Sequence, residues 1–270
     1  MVRTLRQRIF RATQEGNLKK VRSLQKLMLK SYSNRLVSVR RVTQTNAGKN
    51  TAGMDGMVIK TPAARGKLVD ALGQHTAWKA KPARRIYIPK ANKKLRPLGI
   101  PVVIDRCLQA MVKNALEPAW EAMFEGISYG FRPGRSAHDA IGKIYLLARP
   151  NKSKKWILDA DIKGAFDFIS HEYLCQAIGP VPGKELIKQW LKAGYIEQKE
   201  FHANSTRLHP GGLNHRRVHV QSPAPESGPD SVHEAVRCAQ IPEYRAHRAT
   251  SLSTGLTIGD TKEASLDASV

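Results

Sequence analysis

Lys154-Lys-Trp-Ile-Leu-Asp-Ala-Asp-Ile-Lys-Gly-Ala-Phe-Asp-Phe-Ile-Ser170 is a short apolar run that delivers acids at its end and then turns polar. Its β-forming residues stop at Lys163-Gly164, so the segment is expected to be a strand that ends in a turn. Side chains two apart share one face of a strand, which sets Asp159 and Asp161 side by side near the strand end. Binding groups concentrate where strands give way to loops. A carboxylate there suits Mg2+, which takes oxygen ligands and keeps substrate phosphates in its shell. Phe166, five residues beyond Asp161, is large enough to wall a sugar pocket. An isolated Asp-x-Asp fits better a surface strand end whose acids pair with lysines, so the rest of the chain must overturn that reading.

Charge is the second clue. The 270 residues are 41% hydrophobic, enough for a core in one large domain or two small ones, and the formal net charge is +23. Up to His202 there are 38 Lys and Arg against 15 Asp and Glu; from Ala203 onward there are seven of each. The whole surplus therefore lies in the first three quarters of the chain, where it would repel itself unless a polyanion screened it. Nucleic acid is the expected partner. No apolar run approaches the roughly 18 residues of a membrane-spanning helix, and Met1 to Arg11 lacks the apolar centre of a signal peptide. A cytoplasmic protein that does not engage membranes is expected. Cys107, Cys175 and Cys238 are far apart, with no spacing suited to zinc or a disulfide.

From Leu5 to Tyr32, apolar residues recur at helical intervals, with Val21, Leu24, Met28 and Tyr32 on one face and arginines and lysines between them. One or two amphipathic helices with a basic outer face are expected. Thr45 to Gly56 is rich in Gly and Asn and reads as a loop; Lys49 and the loop amides suit a nucleic-acid backbone, or an ordinary connector. Arg85 to Lys90 and Leu95 to Pro101 read as the strands of a hairpin with a basic tip, where Lys90 and Arg96 converge on an anion such as a triphosphate. Asp105 is expected to cap a helix carrying Leu108, Met111, Val112, Ala115 and Leu116 on one face, bent or restarted at Pro118. In Tyr129-Gly-Phe-Arg-Pro-Gly-Arg-Ser136, Arg132 and Arg135 bracket a Pro-Gly corner and are expected to point outward for RNA phosphates. Ser136 and Asp139 form a capping box for a helix bearing Ile141, Ile144 and Leu147. Ser170 opens a further helix, and Leu186, Ile187, Trp190 and Leu191 mark another that Gly194 closes.

Taken in order, Gly53-Met-Asp-Gly56, Ile88-Pro-Lys90 with Arg96-Pro-Leu-Gly-Ile-Pro101, Tyr129 to Ser136, and Asp161-Ile-Lys-Gly-Ala-Phe-Asp167 resemble the successive signatures of group II intron-encoded reverse transcriptases, the maturase family. The resemblance runs from about Leu5 to His202. It implies an α/β (α+β) fold: the fingers and a partial palm of a right-hand polymerase, with residues 1–60 a basic helical extension and loop, 61–202 fingers and partial palm, and 203–270 an irregular, disordered tail. It further implies RNA-directed DNA polymerisation by two-metal transfer, with intron RNA as template, a DNA primer and dNTPs as partners, and Mg2+ as cofactor. Asp161 then resembles the first catalytic aspartate, with the Ile162 carbonyl as a further metal contact. Lys90 and Arg96 resemble the residues that grip dNTP phosphates, and Phe166 the ring that excludes a ribose 2′-hydroxyl. Asp159 has no role in that scheme.

The same resemblance implies further metal ligands from an aromatic-x-Asp-Asp hairpin, and no adjacent Asp pair follows His202. A Pro-Gln-Gly-Gly stretch expected in this region has an echo in His209-Pro-Gly-Gly212. Beyond Ala203 there is a single aromatic residue, Tyr244, and no sustained period; the five histidines there are irregularly spaced. We therefore expect a tail read out of the ancestral frame and little polymerisation by this chain alone. Two other readings stand beside this one: a non-catalytic module that binds intron RNA and assists splicing, and a relic that does not fold stably.

Overall fold

The computed structural model describes residues 1–74, 78–89, 95–148 and 169–204. The expected palm strand with Asp159, Asp161, Ile162 and Phe166, the hairpin tip with Lys90, and the tail from residue 205 lie outside them.

The helical periodicity of the N-terminus produces α1 (Val2–Gln14) and α2 (Leu18–Lys30). Gly16 turns the chain between them in the left-handed region, and the Asn17 side chain caps α2 by accepting from the Lys20 amide. Leu5, Ile9 and Ala12 of α1 and Val21, Leu24 and Met28 of α2 bury against Ala115 and Ala119 of the long helix α5 (Val103–Met123). Tyr32 departs from the expected face: Ser31 adopts extended backbone and ends α2, and Tyr32 opens a separate helix, α3 (Tyr32–Arg40), with its ring exposed. A π turn at Arg41–Thr45 and a 3-10 turn at Ala47–Asn50 then occupy part of the stretch expected to be an irregular loop. In α4 (Pro62–Ala71), Pro62 sits in the first turn, where its missing N–H costs nothing, and Thr61 caps by accepting from the Ala64 amide. Val39, Val42, Leu68 and Val69 meet Val103 and Cys107 of α5 in a second apolar cluster. Burial there pushes the Cys107 thiol up to about 12, leaving it a small inert apolar group.

Two features of α5 differ from expectation. It does not restart at Pro118 but continues as one helix to Met123, and its N-cap is Val102 rather than Asp105. Asp105 lies in the first turn, only 1% exposed. Its Oδ1 accepts from the indole N–H groups of Trp78 at 2.7 Å and Trp190 at 2.9 Å, and its Oδ2 accepts from the Lys81 amide at 3.1 Å. The carboxylate serves long-range partners instead of its own helix.

The hairpin forms as expected from β1 (Ala83–Pro89) and β2 (Leu95–Ile100), antiparallel from Pro89↔Leu95 to Arg84↔Ile100. Next come α6 (Ala137–Ala148), α7 (His171–Ile178) and α8 (Lys184–Lys192). The Ser136–Asp139 box and the Ser170 cap both form, with hydrogen bonds of 2.6–3.3 Å. The face of α6 expected in the core is turned differently: Ala140 is buried while Ile141 is exposed. Two short strands, β3 (Tyr195–Glu197) and β4 (Glu200–His202), were not anticipated, because three residues are too few to show alternation. Gln198 and Lys199 both take positive φ, which makes the tight turn between them. Gly194, at φ 71°, leads α8 into β3; a Cβ there would lie 2.5 Å from the His202 carbonyl oxygen. β3 pairs in parallel with β1, so the sheet order is β2-β1-β3-β4. The mixed α+β class is as the sequence implied.

Asp105→Ala leaves two indole N–H groups and one amide without their acceptor, and should cost on the order of 3–5 kcal/mol, read from urea unfolding followed by tryptophan fluorescence. A second prediction concerns Glu117, which receives Arg6 from α1 at 2.6 Å and Lys113 at 2.9 Å. Burial pushes its carboxyl up, but the hydrogen bonds and charges of Lys113 and Arg6 outweigh this and hold it below the ordinary carboxylate range. A depressed carboxyl stabilises the fold at neutral pH and loses that contribution as pH falls through its folded value. Glu117→Gln should therefore lower stability by about 1–2 kcal/mol at neutral pH, with the gap from wild type closing below about pH 4.

Candidate nucleic-acid interface

The β1–β2 register places Arg96 opposite Ile88, one residue pair from the Pro89↔Leu95 end of the ladder. Arg96 thus stands beside the tip that carries Lys90. Arg84, Ile86 and Ile88 lie on the same sheet face as Arg96, as period two requires. The opposite face carries Arg85, whose guanidinium stacks 3.5 Å from the centre of the Tyr195 ring, and Tyr87, whose hydroxyl donates to Glu197. That hydrogen bond pushes the Tyr87 phenol up, with burial and the Glu197 charge adding to it. Arg85 and Tyr87 therefore join β1 to β3 through side chains as well as through the ladder.

Lys49 is exposed in the 3-10 turn, on a loop that is held firmly. Arg106 of α5 donates to the Gly48 carbonyl at 3.0 Å and to the Thr51 carbonyl at 2.6 Å. Burial pushes the Arg106 guanidinium down from its ordinary value, and it remains a cation whose two terminal nitrogens are held by these carbonyls. Gly53 closes the same loop against the β2–α5 junction: a Cβ there would lie 2.6 Å from Val102 Cα and 2.8 Å from its nitrogen. Only a glycine permits that approach. Lys49 and the hairpin bearing Arg96 are thereby fastened to the same junction, with Arg96 about 13 Å along the strand from Ile100 at 3.3 Å per residue. Sequence reasoning missed Arg106; an arginine after an acid in a helix carries no local mark of its distant carbonyl partners.

Arg132 does not point outward as expected. It is 8% exposed, and its guanidinium forks onto Glu121 with contacts of 2.7–3.1 Å, while Nη1 donates to the Ser128 and Glu125 carbonyls. All its donors of consequence point inward, where they lock the corner after α5. Phe131, at φ 60°, and Gly134, at φ 73°, make the bend that brings it there. Arg135 stays at the surface, stacked 5.1 Å from the Tyr129 ring centre and donating to the Gly126 carbonyl at 2.6 Å. The corner thus offers one half-buried cation at the surface, not two outward ones.

Reverse transcriptases generally use divalent metal ions. The expected donors, Asp161 and the Ile162 carbonyl, lie outside the described residues, as do Lys90 and Phe166. Among the described residues no cluster of three or more His, Cys, Asp or Glu could hold a metal ion, and no helix is long and apolar enough to cross a membrane.

The described residues thus combine a four-stranded sheet carrying a basic hairpin with a helical N-terminal region of strong positive surplus. Residues 1–72 match the N-terminal domain of reverse transcriptase, and residues 88–214 match reverse transcriptase (RNA-dependent DNA polymerase). The chain belongs to the reverse transcriptase family, and its relatives are group II intron-encoded proteins and maturases. It is 39% identical over 152 residues to the group II intron-encoded protein LtrA of Lactococcus lactis subsp. cremoris, covering 54% of this chain and 25% of LtrA. It is 36% identical over 193 residues to protein YkfC of Escherichia coli, covering 66% of this chain and 49% of that protein. Maturase-like protein 1 of Euglena gracilis is 29% identical over 178 residues, covering 64% of this chain and 39% of the relative. The chain thus spans half or less of the length of these relatives, and the reverse transcriptase match runs past His202 through His209-Pro-Gly-Gly212.

Arg132 and Lys49 should behave oppositely. Arg132→Ala should destabilise the fold by about 3 kcal/mol, because Glu121 is left without its partner, yet change RNA affinity by less than about twofold when measured on the folded variant. Lys49→Ala should leave the thermal midpoint unchanged, weaken single-stranded RNA binding, and reduce the slope of log affinity against log salt by about 0.7.

Proposed function

We propose that this chain supplies the fingers and part of the palm of a group II intron reverse transcriptase, and binds intron RNA template, DNA primer and dNTP across the hairpin and the loop of Lys49. The observation that carries the reading is the order of the two family matches along one chain, with Arg96, near the start of the second match, set beside the hairpin tip. In this reading Lys90 and Arg96 hold the dNTP phosphates, Phe166 selects the deoxyribose, and Lys49 and Arg135 rest on nucleic-acid phosphates. Asp161, with the Ile162 carbonyl, holds Mg2+, which would activate the primer hydroxyl and steady the leaving pyrophosphate. The cytoplasm is the proposed compartment.

One aspartate does not hold two dications against water, so the chain alone should polymerise little or not at all. The test is extension of a DNA primer on an RNA template with Mg2+ and dNTPs. The expected outcome is RNA binding that falls steeply with salt and no product above the level of Asp161→Asn. Product that disappears in Asp161→Asn would show the chain to be a complete catalyst and overturn the statement about activity. Salt-insensitive binding, or none, would overturn the proposed function itself.

A further inference from the structure

Helices α3 and α4 enclose a groove of about 450 Å3 that the sheet, the Lys49 loop and the expected metal site do not use. Its walls are aliphatic: Leu36 and Val37 are 43% and 45% exposed along it, Pro62 lines its mouth, and Val69 closes the floor. Leu36 and Val37 stay exposed beside Val39, which lines the same groove and belongs to the second apolar cluster, so the apolar surface of α3 continues from that cluster out into the groove. A short helix of this kind exposes surface that water does not favour.

Cations stand at the edge. Arg40 is exposed, and Arg65 donates from Nη2 to the Lys60 carbonyl at 2.6 Å while its buried Nε–H has no hydrogen-bond partner. A carboxylate arriving at the groove would meet both guanidinium groups. Gly66 is the remaining clue. It sits inside α4, where glycine is a poor helix former, and a Cβ there would meet nothing within 4 Å. No neighbour requires a glycine at this position; what its small size preserves is the open space of the groove.

We infer that the α3–α4 groove is a docking site for an acidic amphipathic helix of a protein partner. An apolar stripe at i, i+4 and i+7 would lie on Leu36, Val37 and Val69, with flanking carboxylates meeting Arg40 and Arg65. Charge complementarity selects acidic flanks over basic ones. The lining selects protein over nucleic acid, since single-stranded bases are held on aromatic platforms and no aromatic ring lines the groove. The inference stands on the groove alone and is independent of the polymerase reading.

The test uses the full chain and a fluorescent synthetic peptide, helical, with leucines at i, i+4 and i+7 on one face and glutamates beside them. A peptide of the same composition with its leucines scattered around the helix controls for attraction to a cationic protein, and a labelled single-stranded RNA serves as the rival ligand. At salt of about 0.15 M, the patterned peptide should bind saturably and at least about tenfold more tightly than the scattered one. Gly66→Leu, which fills the groove and favours the helix, should weaken the patterned peptide at least about tenfold, leave RNA affinity within about twofold, and leave the thermal midpoint equal or higher. Should Gly66→Leu lower that midpoint, Val37→Glu at an exposed position supplies the same comparison. Equal binding of the two peptides, or peptide binding indifferent to both substitutions, overturns the inference. Loss of RNA binding in Gly66→Leu with peptide binding intact also overturns it and makes the groove a nucleotide site.

Discussion

The fold turns on one buried carboxylate. Asp105 lies at the start of α5, yet its hydrogen bonds go to Trp78 and Lys81 ahead of β1 and to Trp190 at the end of α8. Those partners are the two approaches to the β1–β3 pair, the parallel contact of the sheet. A parallel pair cannot be closed by a tight turn, and here the chain travels from β1 through β2, α5, α6, α7 and α8 before β3 returns. Something must fix the two entry points relative to each other. An acid with its oxygens directed at two indoles and an amide does so with direction, which apolar packing lacks. Ala80, whose amide donates to Gln189 at 3.0 Å, and Ala83, whose amide donates to the Gly194 carbonyl at 3.0 Å, carry the same closure into the ladder.

What could be read from the sequence was what local physics writes there. The periodicity of Leu5, Ile9, Val21, Leu24 and Met28, the strand pattern of Arg85 to Pro89 and Leu95 to Ile100, and the Ser136–Asp139 box are each complete within a few residues, and each forms. The failures have a common form. Asp105 and Arg132 were read by their immediate neighbours, as a cap and as an outward cation, whereas their partners lie up to 85 and 11 residues away. Tyr32 was read as continuing a face that Ser31 interrupts. β3 is held by pairing with β1, and β4 by pairing with β3 after the turn at Gln198 and Lys199, not by any pattern of their own. Of the candidate interface, the hairpin placement of Arg96 and the exposure of Lys49 were legible, and the clamp that makes the loop of Lys49 rigid was not.

The polyanion argument is sharpened by this sorting. A formal charge counts every arginine alike, but Arg6, Arg106 and Arg132 are spent on Glu117, on the Gly48 and Thr51 carbonyls, and on Glu121. These cations build the scaffold and are not free to meet phosphate. Removing them, and the lysines paired at Lys20–Glu15, Lys113–Glu117 and Lys188–Glu185, still leaves a large excess among residues 1–202, because the acids of that region are so few. The structural arginines and the surface cations therefore contribute differently to the same measurement. The former decide whether the hairpin and the loop of Lys49 hold their places, and the latter decide how strongly a nucleic-acid backbone is drawn to them. A basic composition alone predicts only the second. The geometry of Asp105, Arg106 and Arg132 adds that the surface cations are displayed on fixed supports, so attraction to phosphate is converted into position.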